Sequence, residues 1–222
     1  MSLSLEQLLR FLPATFLITA APGPDILATL SLGLSRGWRV AVGFGVGCGT
    51  GCLLHTALAV LGVSALLQAS PLAFGALRLA GAGYLVWIGW GALRSGGDLQ
   101  LPQVAEPEKG GQPESVRQEA FGGWSWFARG LLANAVNPKV ALFFLSFLPQ
   151  FVDDRIAGRA QQLAVLGCLF TLNAVLVFSA VGFFSGRLGV FLQGNVGLSR
   201  WLDRLTGLLF WGLAARLVIV QG

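Results

Sequence analysis

Long apolar runs separated by short polar breaks dominate the chain. Five stretches, about 40–67, 71–93, 130–152, 160–186 and 201–220, each reach the roughly 20 apolar residues that a helix needs to cross a bilayer. A sixth, from about 8 to 33, is interrupted by Pro22-Gly23-Pro24-Asp25. The pattern predicts an all-α membrane protein of six transmembrane helices in one polytopic domain, residues 1–222. The start of the first run, Phe11 to Ala21, also has the outline of a signal peptide ending in Thr-Ala-Ala. Glu6, Pro13 and the return of apolar sequence at Ile26 favour a span instead. One polar segment, about 94–128, holds Pro102, Pro107, Pro113, Gly110, Gly111 and half of the acids. It reads as a cytoplasmic linker between repeat one, 1–93, and repeat two, 129–222. Trp124, Trp126 and Phe127 at its end read as an aromatic belt ahead of the fourth helix.

Composition removes the soluble alternatives. Of 222 residues, 55% are hydrophobic and 11% charged, against about 25% charged in a soluble domain. Mean hydropathy is +0.71. Most of the surface must therefore face lipid. The net charge of +5 would suggest nucleic acid in a soluble protein. Here the basic residues are expected to flank membrane helices, with no nucleic-acid partner. Loops 1–2, 3–4 and 5–6 hold Arg36, Arg39, Arg94, Lys109, Arg117, Arg129, Arg187, Arg200 and Arg204. Arg10, Arg155, Arg159 and Arg216 lie on the other side, while Arg78, within snorkelling reach of an interface, and Lys139 sit inside apolar runs. Positive-inside then puts the larger group in the cytoplasm and both termini outside.

The apolar runs carry few charges, and a charge at mid-membrane costs at least ~2.5–3.5 kcal/mol, which makes each a functional candidate. Asp25 follows Gly23-Pro24, and Lys139 follows Asn137-Pro138. Proline stops a helix because it lacks the N–H. Gly or Asn can then cap a new helix, with proline at its first position and the charge at its second. Each half thus has one broken helix, in helices 1 and 4. Leu77-Arg78-Leu79-Ala80-Gly81 also echoes Asp203-Arg204-Leu205-Thr206-Gly207. Three helices per half make the halves an inverted 3+3 repeat, and matched broken helices point to a transporter site near the midplane. Asp25 suits a substrate ammonium or a proton, and Lys139 a substrate carboxylate. A helix N-terminus repels Lys139, so a carboxylate, from Asp25 or a ligand, is its expected relief. The open alternative is a channel-like or scaffold protein in which Asp25 and Lys139 form a structural ion pair.

Other polar candidates are weaker. Asn134 and Asn137 share a helix face, and Asn173 and Gln150 line a path or bond neighbouring helices. His55 follows the glycine series Gly43, Gly47, Gly51, which reads as close helix packing. His55 itself reads as a packing residue or a proton relay. Phe143, Phe144, Phe147 and Phe151 fit a lipid- or core-facing helix. Cys48, Cys52 and Cys168 lack ligand spacing and read as small core residues. One histidine and no intramembrane carboxylate pair leave no catalytic constellation, so no enzyme, metal or cofactor is expected.

Three motifs in order resemble one family. Pro22-Gly23-Pro24-Asp25, then Gly81-Ala82-Gly83-Tyr84-Leu85, then Asn137-Pro138-Lys139 running through Phe143-Phe144 to Phe147-Leu148-Pro149-Gln150-Phe151 are similar to signatures of the LysE/RhtB amino-acid exporters. The resemblance implies a bacterial inner-membrane exporter of amino acids or related metabolites, driven by protons, and it allows a homodimer. It places functional emphasis on Pro22, Gly23, Pro24, Asp25, Asn137, Pro138 and Lys139. Substrate choice within the family, from lysine to leucine or homoserine, stays open.

Overall fold

The computed structural model describes residues 3–63, 70–95, 123–153, 155–156 and 158–219. The linker core, including Pro102, Pro107 and Pro113, lies outside them. Helix α1, Leu5–Ala20, starts at a reciprocal cap. The Ser4 hydroxyl accepts from the Gln7 N–H at 3.2 Å, and the Gln7 side-chain oxygen accepts from the Ser4 N–H at 2.7 Å. It ends at Ala21, which precedes Pro22 and takes the extended backbone that this position favours. Helix α2, Pro24–Arg36, then restarts at a bend of 52°.

The second half repeats the device. Helix α5, Gly123–Ala135, breaks at Val136–Asn137, and α6, Pro138–Leu142, restarts. A π-turn, Phe143–Phe147, and a 3-10 turn, Leu148–Phe151, continue α6 at a bend of 53° to α5. The remaining helices are α3, Trp38–Leu58, running into a π-turn at Ala59–Val63, then α4, Pro71–Arg94, α7, Arg159–Gly194, and α8, Val196–Ile219. Among the described residues there is no strand.

Three helices are long and apolar enough to cross a membrane, and the two bent pairs raise this to five if each is one span. Helix α8 has membrane length at 24 residues, but Arg200, Asp203, Arg204 and Arg216 keep it out of that group. Apolar side chains cover the outside, including Leu54, Leu58, Leu172, Leu176, Phe183 and Val190. Such a surface is stable against lipid and would be unusual in water.

Helix α3 packs against α5 on one side and α7 on the other, α2 lies against α7 and α3, and α4 pairs with α8. Glycine permits the central contacts. A Cβ on Gly47 would lie 2.0 Å from the Phe127 carbonyl oxygen of α5, and one on Gly49 would lie 2.6 Å from the Val175 nitrogen of α7. A Cβ on Gly130 of α5 would strike the Phe44 carbonyl oxygen at 2.0 Å. The glycine series is therefore a packing face, with Gly51 against Asn134 and Gly43 at a looser edge.

Two expectations need correction. Cys48 and Cys52 are core residues, but Cys168 is exposed on the outer face of α7. Lipid-facing and core-facing positions of an apolar helix look alike in sequence. The aromatic belt also divides. Trp124 is exposed and stacks on Phe127, whereas Trp126 is buried between the guanidinium groups of Arg36 and Arg129, at 5.0 and 4.5 Å. All three aromatics lie inside α5, because the helix begins at Gly123 rather than near residue 130. Of the two faces open to Phe143, Phe144, Phe147 and Phe151, the structure takes the core: all four are buried and form the core of the bent segment.

Candidate functional site

The two breaks meet. Gly23 caps α2, Pro24 takes its first position and Asp25 its second. Asn137 caps α6 through its side chain, which accepts from the Lys139 N–H at 3.0 Å, with Pro138 first and Lys139 second. Both restarts line one cavity of about 20 Å³, together with Thr19, Cys52, Asn134, Phe170 and Phe178. Such a space holds about one water. At the breaks themselves Ala21 and Asn137 are buried, Pro22 and Gly23 are half-buried, and Val136 and Pro138 are exposed.

The charged residues bond crosswise between the halves. Asn134, in the last turn of α5, donates to the Asp25 carboxylate at 2.8 Å. Lys139 donates to the Ala21 carbonyl at the end of α1, at 3.1 Å. Each restart is thus tied to the end of the other half's broken helix. Asp25 gains from the positive N-terminus of its own helix, and Lys139 gains from the orphan carbonyl and negative C-terminus of α1. The expected carboxylate relief of Lys139 is therefore supplied by a carbonyl, and no direct ion pair joins Lys139 to Asp25. A Cβ on Gly23 would stand 3.1 Å from the Lys139 ammonium, so glycine leaves the lysine its path across the break.

Supporting bonds surround this cross. Thr29 donates to the Asp25 carbonyl at 2.7 Å. A His55 ring nitrogen, Nε2, lies 3.0 Å from the Asn134 carbonyl, and the Cys52 thiol lies 3.7 Å from the Asn134 side-chain oxygen. Asn134 is fully buried, and His55 and Asp25 nearly so. His55 therefore acts on the site through Asn134, outside the cavity lining. Asn173 donates to Thr19 at 3.1 Å, one residue removed from the cavity. Pro138 is exposed and shapes α6 without lining the cavity.

A second cavity, about 720 Å³, adjoins the first through Gly23, Pro24 and Lys139. Pro22, Tyr84, Trp87, Arg94 and Asp203 also line it. Lys139 lies over the Phe210 ring at 5.2 Å where the two spaces meet. Gln150 is elsewhere. It lines a third cavity of about 210 Å³ with Glu6, Arg10, Asp153, Arg155 and Arg216. Between this and the central cavity runs a chain of rings, Phe170, Phe143, Phe147, Phe151 and Phe11, with successive centroids 4.9–5.2 Å apart.

A polar clasp closes the same region, and the sequence reading misses it. The Gln7 amide donates to the Phe151 carbonyl at 2.9 Å and to the Gln162 side chain at 2.8 Å. Gln162 in turn bonds the Asp153 backbone N–H and carbonyl and the Ile156 carbonyl, at 2.8–3.0 Å. The available signal was Gln162 as a polar residue at the start of an apolar run. Among the described residues no group of His, Cys, Asp or Glu could hold a metal ion.

Fold and site define a helical membrane protein whose two matched broken helices face one small cavity with an acid and a base in its lining. The chain belongs to the LysE type translocator family, whose model matches residues 16–221. It is a transporter, not an enzyme. A homoserine/homoserine lactone efflux protein of Salmonella typhimurium is 27% identical over 97% of each chain. A leucine efflux protein of an Enterobacter species is 29% identical over 93% of this chain and 92% of that one. An uncharacterised membrane protein of Pseudomonas aeruginosa is 33% identical over 88% of this chain and 87% of that one. No solved structure matches the chain.

Proposed function

We propose that this protein exports amino acids, or related small zwitterionic metabolites, across the bacterial inner membrane by proton-coupled alternating access. The observation that carries this reading is the crosswise pair of half-helix starts, which puts one acid and one base at a single small cavity. Relatives named for efflux of homoserine and of leucine support an amino-acid substrate. Lys139 binds the substrate carboxylate when it releases the Ala21 carbonyl. Asp25 takes the ammonium group or, after release, a proton.

In this reading α1–α2, α3 and α4 are spans one to three, and α5–α6, α7 and α8 are spans four to six of an inverted 3+3 repeat. The nearly equal bends of the two broken pairs support that symmetry. Both termini lie outside, so the 720 Å³ cavity with Arg94 and Asp203 faces the cytoplasm. The central cavity is too small for an amino acid, so the conformation here is open towards the cytoplasm and shut at the substrate position. The phenylalanine chain and the Gln7–Gln162 clasp form the outer closure.

The structural ion-pair alternative loses its main support, because the two charges bond other groups. Efflux of labelled leucine and homoserine from proteoliposomes under an imposed proton gradient tests the proposal. Transport accelerates with the gradient, and Asp25→Asn and Lys139→Met each abolish it while the protein stays inserted. Normal coupled efflux in both variants would exclude the assigned roles.

A further inference from the structure

The third cavity contains a mismatch that the transport site does not use. Among the described residues five charges line it, Glu6, Arg10, Asp153, Arg155 and Arg216. Glu6 pairs with Arg10 one turn along α1. Asp153 pairs with Arg155 through two bonds, 3.0 Å to Nε and 2.8 Å to Nη2. That hydrogen bonding holds the Asp153 carboxyl down at about 2, so it stays committed to Arg155.

Among the described residues both acids are therefore matched, and Arg216 is the cation left over. Its guanidinium lies over the Phe151 and Phe147 rings at 5.0 and 5.8 Å, and among the described residues no oxygen accepts from it. Gln150 has the opposite imbalance. Its amide donates weakly to the Ser146 carbonyl at 3.4 Å, while its Oε1 is buried without a donor. A buried acceptor left unmatched is unusual and calls for a partner.

One small molecule satisfies both once the Gln150 side chain turns its enclosed oxygen into the cavity. The guanidinium fork of arginine matches a carboxylate in two parallel bonds. An ammonium supplies donors for an amide oxygen. A ligand with both groups is an α-amino acid. The excess cation among the lining charges favours a carboxylate over a neutral solute.

Position adds a direction. Asp203 lines the large cavity and Arg216 lines this one. They are thirteen residues apart on α8, or about 20 Å along its axis. The two cavities thus lie towards opposite ends of the bundle, with the Asp25–Lys139 cavity and the phenylalanine chain between.

We infer that the cavity around Arg216 and Gln150 is a second subsite for a zwitterionic amino acid, which the substrate occupies on leaving the central site. The inference rests on the transport reading for its direction but not for its chemistry. Arg216 holds the carboxylate and Gln150 the ammonium. Because Phe151 carries Arg216 on its ring and the Gln7 bond on its carbonyl, the subsite also abuts the outer closure.

Equilibrium binding of labelled L-leucine and L-homoserine to the full chain in lipid nanodiscs tests this. The wild type should bind two amino acids per chain at saturation. Arg216→Gln and Gln150→Leu should each weaken one site by about tenfold or more, with Arg216→Lys intermediate. Asp25→Asn and Lys139→Met should each weaken the other site without removing it, and its persistence in Arg216→Gln shows that variant to be folded. One site per chain, unchanged by Arg216→Gln and Gln150→Leu, would overturn the subsite and leave the transport reading standing. Binding that responds to those two variants but not to Asp25→Asn or Lys139→Met would uphold the subsite and overturn the central site. No binding to any form would overturn both.

Discussion

Asn134 joins more of the site than either charge does. Its side chain orients Asp25, its carbonyl faces His55, and a Cβ on Gly51 would press on it at 2.9 Å. A hydrogen bond to a charged group contributes about 1.5–3 kcal/mol. Asn134→Ala should therefore cut initial efflux rates by about tenfold to a hundredfold, at unchanged membrane abundance. The two readings of His55 separate at this bond. A packing role needs only an Nε2 donor for the Asn134 carbonyl. His55→Gln can supply one and should keep proton-coupled efflux, whereas His55→Leu leaves the carbonyl unpaired and should lose about 1–3 kcal/mol of stability. Loss of proton coupling in His55→Gln with normal melting would instead make the imidazole a relay. Asp25, Asn137 and Lys139 were legible in the sequence because proline and charge are rare inside apolar runs and carry a large cost there. The partner of Lys139 was not legible. A backbone carbonyl has no sequence signature, and only the folded chain brings Ala21 within reach.

The broken helices were the most readable feature, and both restarts fall at the capping positions expected from Gly23-Pro24 and Asn137-Pro138. Their bends and their meeting required the structure, as did the split of the aromatic residues between Trp124 outside and Trp126 inside. Helix α3 explains why. It is apolar or small on every side, so periodicity does not show which face is buried. Glycine placement does show it, with Gly47 facing α5 and Gly49 facing α7. Gly47→Ala places a methyl group 2.0 Å from a carbonyl oxygen and must push α5 from α3. We expect a loss of about 1–3 kcal/mol, the range for overpacking a tight interface, together with a displaced Asn134. Gly43→Ala, at a 3.5 Å contact, should be nearly neutral. Thermal melting of the two purified variants measures the difference. Equal stability would mean that α3 and α5 do not approach as closely as described.

Three of the cavities in the bundle lie in series, a wide one at Arg94 and Asp203, a narrow one at Asp25 and Lys139, and one of intermediate size at Arg216. This order gives a sidedness that can be measured. In a background with Cys48, Cys52 and Cys168 replaced by serine, Tyr84→Cys should react with an impermeant thiol reagent from the cytoplasmic side only. Gln150→Cys should react from the outside only. Reaction of both from one side would refute the order of the cavities. Nothing in the sequence points to the third cavity, since Glu6, Gln150 with Asp153, and Arg216 lie on three distant segments. The central claim is that Asp25 and Lys139 recognise the two ends of one zwitterion in one cavity. Competition against labelled leucine by leucine methyl ester and by the deaminated hydroxy acid tests it most directly. The ester should be weak for wild type and lose nothing further in Lys139→Met, while the hydroxy acid should behave likewise in Asp25→Asn. If each substitution weakens both analogues in equal proportion, the two charges do not divide the substrate between them, and the account is contradicted.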